Sequence, residues 1–308
     1  MKADHPKVSM DKICGMFGLT RQAYYWTNNN TQQKEFNEEV VLMLVQEIRH
    51  KMPKIGGKKL YNMIYPDLKR ENIKMGRDKF FDLLRTNGLL NKRKRVKVKT
   101  TFSGHGFRKY KNLIKDFEAN SPNQLWVSDL TYIRLESGFA YLSLVTDVYS
   151  RKILGWHLDK TLKAEGTIKA LKLALKNLGS GETSPRPIHH SDRGVQYYSY
   201  EYVELLEKRK VKISMTENGD PRENPIAERV NGILKEEFSL YGFRDFKEAE
   251  IQIKQSIHLY NSLRPHLSLD YLTPDHAYGL TGKLQRRWKS YYPKSSNSGG
   301  NTYVPVNC

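Results

Sequence analysis

Three carboxylates stand in segments that could bring them to one place. Asp129 lies in a strand-like segment, Asp192 follows a short apolar segment, and 35 residues separate Asp192 from Glu228, which begins a helical pattern. Open sheets build sites at the carboxyl ends of their strands, so the three side chains can converge there. Without cations they would repel one another. Hard oxygen ligands suit Mg²⁺ or Mn²⁺, and two such ions about 3.5–4 Å apart promote in-line displacement at phosphorus. We therefore expect Asp129, Asp192 and Glu228 to be catalytic metal ligands for phosphoryl transfer.

The elements around these residues predict a mixed α/β domain with one central sheet. Three strands come first and form hairpins, with Glu136-Ser-Gly as a turn signal, and helices then alternate with two short strands. The predicted strands are Leu125–Ile133, Phe139–Asp147, Arg151–Leu158, Pro187–His190 and Val211–Met215. The predicted helices are Ala164–Leu178, Ser199–Lys210 and a long helix within 221–241.

Charge predicts an anionic polymer as partner. The 308 residues carry a net charge of +19 at a pI near 9.7. Residues 1–110 hold 24 Lys and Arg against 10 Asp and Glu, a net of +14, whereas the remainder is only +5. The front third is therefore expected to bind nucleic acid and the rest to house an acidic site. No apolar run reaches about 18 residues, so no membrane span is expected. Cys14 and Cys308 indicate neither a disulfide framework nor a zinc cluster, and a cytoplasmic setting is expected.

The first residues predict a small helix-turn-helix over Ser9–Trp26. Ser9 and Thr20 are suited to cap its two helices, and Gly18 supplies the turn. Arg21 and Gln22, at the start of the second helix, are then candidates for DNA contact. A helical hairpin that only packs against the protein is the alternative. The polar stretch 27–33 that follows is predicted to be a linker.

A second helical unit and a basic tether follow. Helices are predicted at Glu35–Lys51, at Lys58–Ile64 before Pro66, and at 76–89. The last helix presents Arg77, Lys79 and Arg85 as candidate DNA contacts. Six of the ten residues 91–100 are basic, so this segment is predicted to be a linker that also contacts phosphates. Its candidate contacts are Lys92, Arg93, Lys94, Arg95 and Lys97.

Several other polar residues admit two interpretations. His190 and Gln196, on either side of Asp192, either contact the scissile strand or shape the turn. Adjacent strand residues point to opposite faces, so His189 is expected in the core. Arg264 either contacts phosphate or clasps the core. Asp147 is expected to pair with Arg151 rather than to act in catalysis. Glu236 and Glu237 are expected to face solvent or to pair with Lys235.

Six motifs in order resemble the insertion sequence three family of transposases, in their second reading frame product. The resemblance spans about residues 5–280. The matching segments are Trp126-Val-Ser-Asp129-Leu-Thr-Tyr-Ile, Arg151-Lys-Ile-Leu-Gly155-Trp156, His190-Ser-Asp192-Arg-Gly194-Val-Gln196-Tyr197, Asn224-Pro-Ile-Ala-Glu228, Leu234-Lys235-Glu-Glu237, and Tyr260-Asn-Ser-Leu-Arg264-Pro265-His266 with Leu272-Thr-Pro274.

The resemblance implies a ribonuclease-H-like catalytic core with Asp129, Asp192 and Glu228 as its Asp-Asp-Glu triad. It implies two Mg²⁺ or Mn²⁺ ions, a DNA contact by Lys235, and substrates that are the terminal inverted repeats of the element and its target DNA. Such enzymes first join the two ends of one element, and the resulting circle then inserts into target DNA. Pairing two ends implies a homo-oligomer, at least a dimer, at the bacterial nucleoid. The loop before Glu228 departs from the family pattern. The family's full-length product carries a leucine zipper, whereas no heptad run is visible in this sequence.

These expectations divide the chain into five parts and leave three alternatives. The parts are an N-terminal helix-turn-helix (1–30), a second helical DNA-binding domain (31–90), a basic linker (91–120), the catalytic core (121–265) and a basic C-terminal tail (266–308). The alternatives are a non-catalytic DNA-binding regulator of transposition, a retroviral-type integrase, and a ribonuclease for hybrid duplexes. An integrase normally carries a His/Cys zinc domain in front, which two distant cysteines cannot build.

Overall fold

A computed structural model describes residues 7–91, 110–115, 117–178, 186–217 and 223–284. Helices form the front of the chain, and a five-stranded sheet flanked by helices follows. The front helices are α1 (Met10–Met16), α2 (Arg21–Lys51), α3 (Gly57–Arg70) and α4 (Arg77–Thr86). The strands are β1 (Leu125–Leu135), β2 (Gly138–Asp147), β3 (Ile153–Asp159), β4 (Ile188–Ser191) and β5 (Lys212–Met215). The later helices are α5 (Ala164–Leu175), α6 (Tyr200–Lys208), α7 (Pro225–Glu237), α8 (Phe246–Ser262) and α9 (Pro274–Tyr278).

The sheet has the order β3-β2-β1-β4-β5. The first three strands are antiparallel neighbours, while β4 and β5 run parallel to β1. This mixed sheet with its alternating helices confirms the predicted α/β, ribonuclease-H-like fold class. All five strands were predicted: the second from its aromatic and β-branched residues, and the fourth as a short buried strand.

Each face of the sheet is covered by its own apolar cluster. Trp126 and Val145 face a cluster built with α5 and α6. A Cβ atom at Gly155 would lie 2.1 Å from the Ala170 carbonyl oxygen, so glycine is needed where α5 approaches β3. The opposite face carries Ile133 and packs against α7, α8 and the front helices α2–α4 in one continuous cluster. The front helices α2–α4 are thus joined to the sheet, α7 and α8 through this cluster.

Two predicted helix ends in the front region were wrong. The predicted linker at 27–33 is helical, because α2 runs unbroken across it and across the boundary expected between residues 30 and 31. The stretch holds neither Gly nor Pro, and its Asn residues cost only a few tenths of a kcal/mol each in a helix. Helix α3 continues through Pro66. Leu68, beyond the proline, is buried in the core, and that packing offsets the lost hydrogen bond.

Among the described residues, no helix is both long and apolar enough to cross a membrane. The predicted contacts in the basic tether, from Lys92 to Lys97, lie outside the described residues, as does the C-terminal tail from residue 285.

Candidate active site

The register of β1 and β4 places Asp129 and Asp192 on adjacent strands. Ser128 pairs with Ser191 in this parallel ladder, and each aspartate is the next residue of its chain. Asp192 Oδ1 accepts a hydrogen bond from the Gly194 amide at 3.0 Å. A Cβ atom on Gly194 would lie 3.1 Å from that oxygen, so the glycine lets the chain turn tightly around the carboxylate. The predicted convergence at the end of β4 is therefore present for these two aspartates.

Helix α7 carries Glu228 over the same edge and is tied to β1 by two asparagines. Pro225 occupies the first turn of the helix, where a missing amide hydrogen costs nothing. Asn224 Nδ2 donates to the Ser128 carbonyl at 3.0 Å, and Asn231 Nδ2 donates to Asp129 Oδ2 at 2.7 Å. Glu228 is exposed, one helical turn before Asn231. These two hydrogen bonds hold helix α7 against strand β1 beside Asp129.

Burial and neighbouring negative charges determine the electrostatics of Asp129. The pKa of Asp129 is raised to about 7, mainly by burial and then by the negative charges of Asp192 and Glu228. Hydrogen bonds from Asn231 and the Leu130 amide act in the opposite direction. Asp192 and Glu228 therefore both lie within electrostatic range of Asp129. A cation placed among them would remove the repulsion, and carboxylate oxygens are the ligands that Mg²⁺ and Mn²⁺ prefer.

The carboxylates are not gathered into a finished coordination sphere. Within the described ranges, no three acidic, histidine or cysteine side chains are close enough to hold one ion. A divalent cation nevertheless fits this site for two reasons. The donors are carboxylate oxygens, and the negative charges of Asp192 and Glu228 help to raise the pKa of Asp129.

Sequence reasoning missed Asn231. It had singled out Asn224 only as part of a motif, and gave Asn231 no role. The available signal was spacing: Asn231 stands three residues after Glu228, so both lie on the same side of one helix. Its amide holds Asp129 in a fixed orientation and opposes the rise of that pKa.

The structure contradicts direct DNA contact by His190 and Gln196. Both side chains are buried. His190 Nδ1 lies 2.9 Å from Ser214 Oγ, and burial lowers the pKa of His190 to about 4, so the ring is neutral near pH 7. Gln196 Nε2 donates to the Leu162 carbonyl at 2.8 Å. His190 thus contacts β5 and Gln196 contacts the segment before α5, and because both are buried neither has a path to a phosphate. His189 is buried, as expected, with its Nε2 within 2.7 Å of Ser128 Oγ.

Of the two roles expected for Arg264, the structure shows the clasp on the core. It is 1% exposed and binds both carboxylate oxygens of Glu237, at 2.8 and 2.9 Å. A guanidinium so enclosed cannot reach DNA, and the prediction that it contacts phosphate is not supported. The expectation that Glu237 faces solvent or pairs with Lys235 was wrong, because Arg264 folds back onto it. Asp147 is buried and structural, with hydrogen bonds from Ser150 and the Asn123 amide.

The remaining candidate DNA contacts of the described residues lie at the surface, apart from half-buried Lys235 on α7. Arg21 and Gln22 are exposed at the start of α2. On α4, Lys79 is exposed, while Arg77 and Arg85 pair with the neighbouring acids Asp78 and Asp82. These exposed pairs are weak and leave both arginines available for phosphates.

Comparison with known proteins places this site in a family. Integrase core domain models match residues 119–221 and 209–274, which together contain all three carboxylates. The chain is 33% identical over 272 residues to an insertion element IS600 protein of 31 kDa from Shigella sonnei, covering 85% of this chain and 96% of that protein. It is 28% identical over 235 residues to the transposase InsF for insertion sequence IS3A from Escherichia coli K12, covering 74% and 79%.

Among solved structures, the chain resembles the catalytic core domain of HTLV-2 integrase in complex with magnesium. The TM-score is 0.42 at 20% identity, covering 52% of this chain and 99% of that one. The curated relatives above derive from insertion elements rather than from retroviruses. The chain therefore belongs to the insertion sequence three family of transposases, with an integrase core as its catalytic domain.

Proposed function

We propose that this chain cuts DNA strands at the ends of an insertion sequence and joins them to new sites, with Asp129, Asp192 and Glu228 as its catalytic residues. The observation that carries the proposal is the register of β1 and β4, which brings Asp129 and Asp192 to adjacent strands, with Glu228 near enough to help raise the pKa of Asp129. Ionising a buried acid beside other negative charges is energetically unfavourable, and a bound cation would reduce that cost.

Asp129, Asp192 and Glu228 would hold Mg²⁺ or Mn²⁺, two ions in the working site. When bound, such ions activate the attacking oxygen and neutralise charge on the leaving oxygen. The chain's own residues orient the ligands: Asn231 fixes the Asp129 carboxylate, the Gly194 amide fixes that of Asp192, and Asn224 anchors the start of α7 to β1.

The reaction has two displacements at phosphorus. Water first attacks a phosphodiester at the end of the element and frees a 3′-hydroxyl. That hydroxyl then attacks a second phosphodiester, so one P–O bond forms as another breaks. Neither step requires a covalent link to the enzyme. The substrates would be terminal inverted repeats and target DNA, bound by a homo-oligomer because two ends must meet.

The front helices would read the repeat through Arg21, Gln22, Arg77, Lys79 and Arg85. The basic tether and Lys235 would add contacts to phosphates. Phosphate contacts of this kind supply affinity that falls steeply with salt and does not depend on base sequence. The division of the chain into two DNA-binding units, a tether, a catalytic core and a tail is part of this proposal.

The test is strand cleavage and joining on labelled terminal-repeat DNA with the variant Asp192→Asn. We expect cleavage and joining to be lost while repeat binding is retained. Asp275→Asn is the matched control, because Asp275 lies in the same half of the chain, pairs with Lys152, and is exposed. Full activity of Asp192→Asn would refute the triad. A wild-type chain that binds the repeat and cuts nothing with Mn²⁺ would instead favour the non-catalytic regulator.

A further inference from the structure

The C-terminal end of α7 is where the front helices meet the catalytic half of the chain. The Lys54 amide, just before α3, donates to the Glu237 carbonyl at 3.0 Å and so satisfies a free group at the end of α7. The Lys54 ammonium also lies 5.0 Å from the centre of the Tyr241 ring. Asn91, beyond α4, donates to the carbonyls of Lys54 and Ile55 and braces the same segment. This junction is therefore organised, and it is continuous with the apolar cluster below it.

Three charged side chains are buried at this junction. Glu237 receives Arg264 on both oxygens and Lys59 Nζ on one of them at 2.6 Å. The side chains of Lys59, Glu237 and Arg264 are only 10%, 12% and 1% exposed. His266 Nε2 lies 2.8 Å from Arg264 Nη1, and its pKa is well below the usual value through burial and the nearby cations, so it is neutral. We call Lys59, Glu237 and Arg264 the junction cluster.

Lys59 is the only member of the junction cluster that comes from the front helices. Arg264 alone already matches the charge of Glu237, so Lys59 is not needed to neutralise it. Burial lowers the pKa of Lys59 to about 8, which means that its position is held against an electrostatic cost. A lysine so enclosed cannot bind DNA, unlike its exposed neighbour Lys58. Its evident consequence is to fix helix α3 against helix α7.

Helix α7 connects this junction to the active site. Its 13 residues span about 20 Å, with Glu228 and Asn231 towards one end and Glu237 at the other. Backbone hydrogen bonds join each turn of the helix to the next, so a shift at one end is passed to the other. Helix α3 leads through a short turn into α4, which carries the candidate DNA contacts Arg77 and Lys79. One path therefore runs from the surface expected to hold the repeat to a catalytic carboxylate.

We propose that Lys59 is a positioning residue that sets the place of the cut relative to the bound repeat. This inference rests on the proposed function. Lys59 acts through Glu237 and α7 rather than on the substrate, so its loss lets the front helices shift against the catalytic half. Misplacement by about 1 Å costs on the order of a hundredfold in rate. The shift also brings neighbouring phosphodiesters to the active site.

The experiment compares full-length Lys59→Met with wild type on end-labelled terminal-repeat duplex. The cut position is mapped to the nucleotide, and binding of the duplex is measured in parallel. We expect Lys59→Met to lose about tenfold to a hundredfold in cleavage at the correct phosphodiester, to cut adjacent positions, and to bind the duplex within about threefold of wild type. Lys59→Arg keeps the charge and should restore the correct position.

Lys58→Met is the matched control, because it removes the same charge from the exposed side of α3. It should weaken binding at most and leave the cut position unchanged. If Lys59→Met does not fold, Lys59→Gln keeps hydrogen-bond donors, removes the charge, and should misplace the cut in the same way. Cleavage by folded Lys59→Met or Lys59→Gln at the wild-type position and rate would overturn the inference. Absence of any cleavage by wild type would overturn the proposed function instead.

Discussion

The two ends of helix α7 hold glutamates in opposite circumstances. Glu228 lies near Asp129, whose pKa is raised to about 7 mainly by burial and then by the negative charges of Asp192 and Glu228. Glu237 stands between Lys59 and Arg264. Burial alone would raise the pKa of Glu237, but the hydrogen bonds and charges of Arg264 and Lys59 bring it below the usual value.

The difference separates a site from a structural element. A buried acid with its cations built into the chain is complete and has no need of a ligand. A buried acid whose pKa is raised by neighbouring negative charges carries an electrostatic cost that a bound cation would reduce. The same residue type on the same helix can therefore be assigned to catalysis or to architecture by what surrounds it.

The largest effect should follow a change at the first end. Glu228→Gln keeps the size of the side chain and removes its charge, so cleavage of terminal-repeat DNA should fall by a factor on the order of 10³ or more. Thermal stability should stay near that of wild type, because Glu228 is exposed. The assay is single-turnover cleavage with saturating enzyme. Retention of more than a tenth of the wild-type cleavage rate would contradict the catalytic role proposed for Glu228.

The converse change is Glu237→Gln at the second end. It leaves Arg264 and Lys59 buried beside a neutral partner, so the free energy of unfolding should fall by about 3–5 kcal/mol. Chemical denaturation measures this loss directly. An exposed glutamate on α8, Glu250, supplies the control Glu250→Gln, which should change stability by less than about 0.5 kcal/mol. A loss no larger than that of the control would mean that the junction cluster is not structural.

The sequence predicted the sheet better than it predicted this contrast. Strand patterns are local features, and they sufficed for the fold class, whereas the catalytic roles of Asp129, Asp192 and Glu228 stay predictions. The partners of Glu237 are not local, since Arg264 lies 27 residues later and Lys59 lies 178 residues earlier. A run such as Leu234-Lys-Glu-Glu237 therefore suggested an exposed face. The unbroken helix α2 was missed because the polar stretch 27–33 resembles a linker in composition. It contains neither Gly nor Pro, so nothing in it ends a helix.

Asn231 gives a smaller effect at the first end. Asn231→Ala removes the hydrogen bond that orients Asp129, and groups of this kind usually change activity by about 10- to 100-fold. That hydrogen bond also lowers the pKa of Asp129, so its loss should move the acid limb of the pH–rate profile to higher pH. The measurement is the cleavage rate from pH 5.5 to 9. A variant with the wild-type profile would show that Asn231 does not act through Asp129.

The smallest effect concerns stability without metal. The folded-state pKa of Asp129, about 7, exceeds its usual value of 3.8. Its contribution to stability is therefore fully present below about pH 3.8 and is lost as pH rises through 7. Asp129→Asn cannot ionise, so in EDTA at pH 8 it should be more stable than wild type by on the order of 1 kcal/mol.

Denaturant titrations of wild type and Asp129→Asn at pH 5 and pH 8 measure this difference. The gain should be larger at pH 8 than at pH 5. Equal differences at the two pH values would contradict the crowding of charge at this end of α7.

Calorimetric titration with Mn²⁺ at pH 8 tests the central claim most directly, because it measures the cation that the three carboxylates are expected to hold. Wild type and Glu237→Gln, kept below its unfolding transition, should bind Mn²⁺ alike, whereas Asp129→Asn should bind at least about tenfold more weakly. Equal Mn²⁺ affinity in wild type and Asp129→Asn would contradict the assignment of Asp129, Asp192 and Glu228 as a metal site.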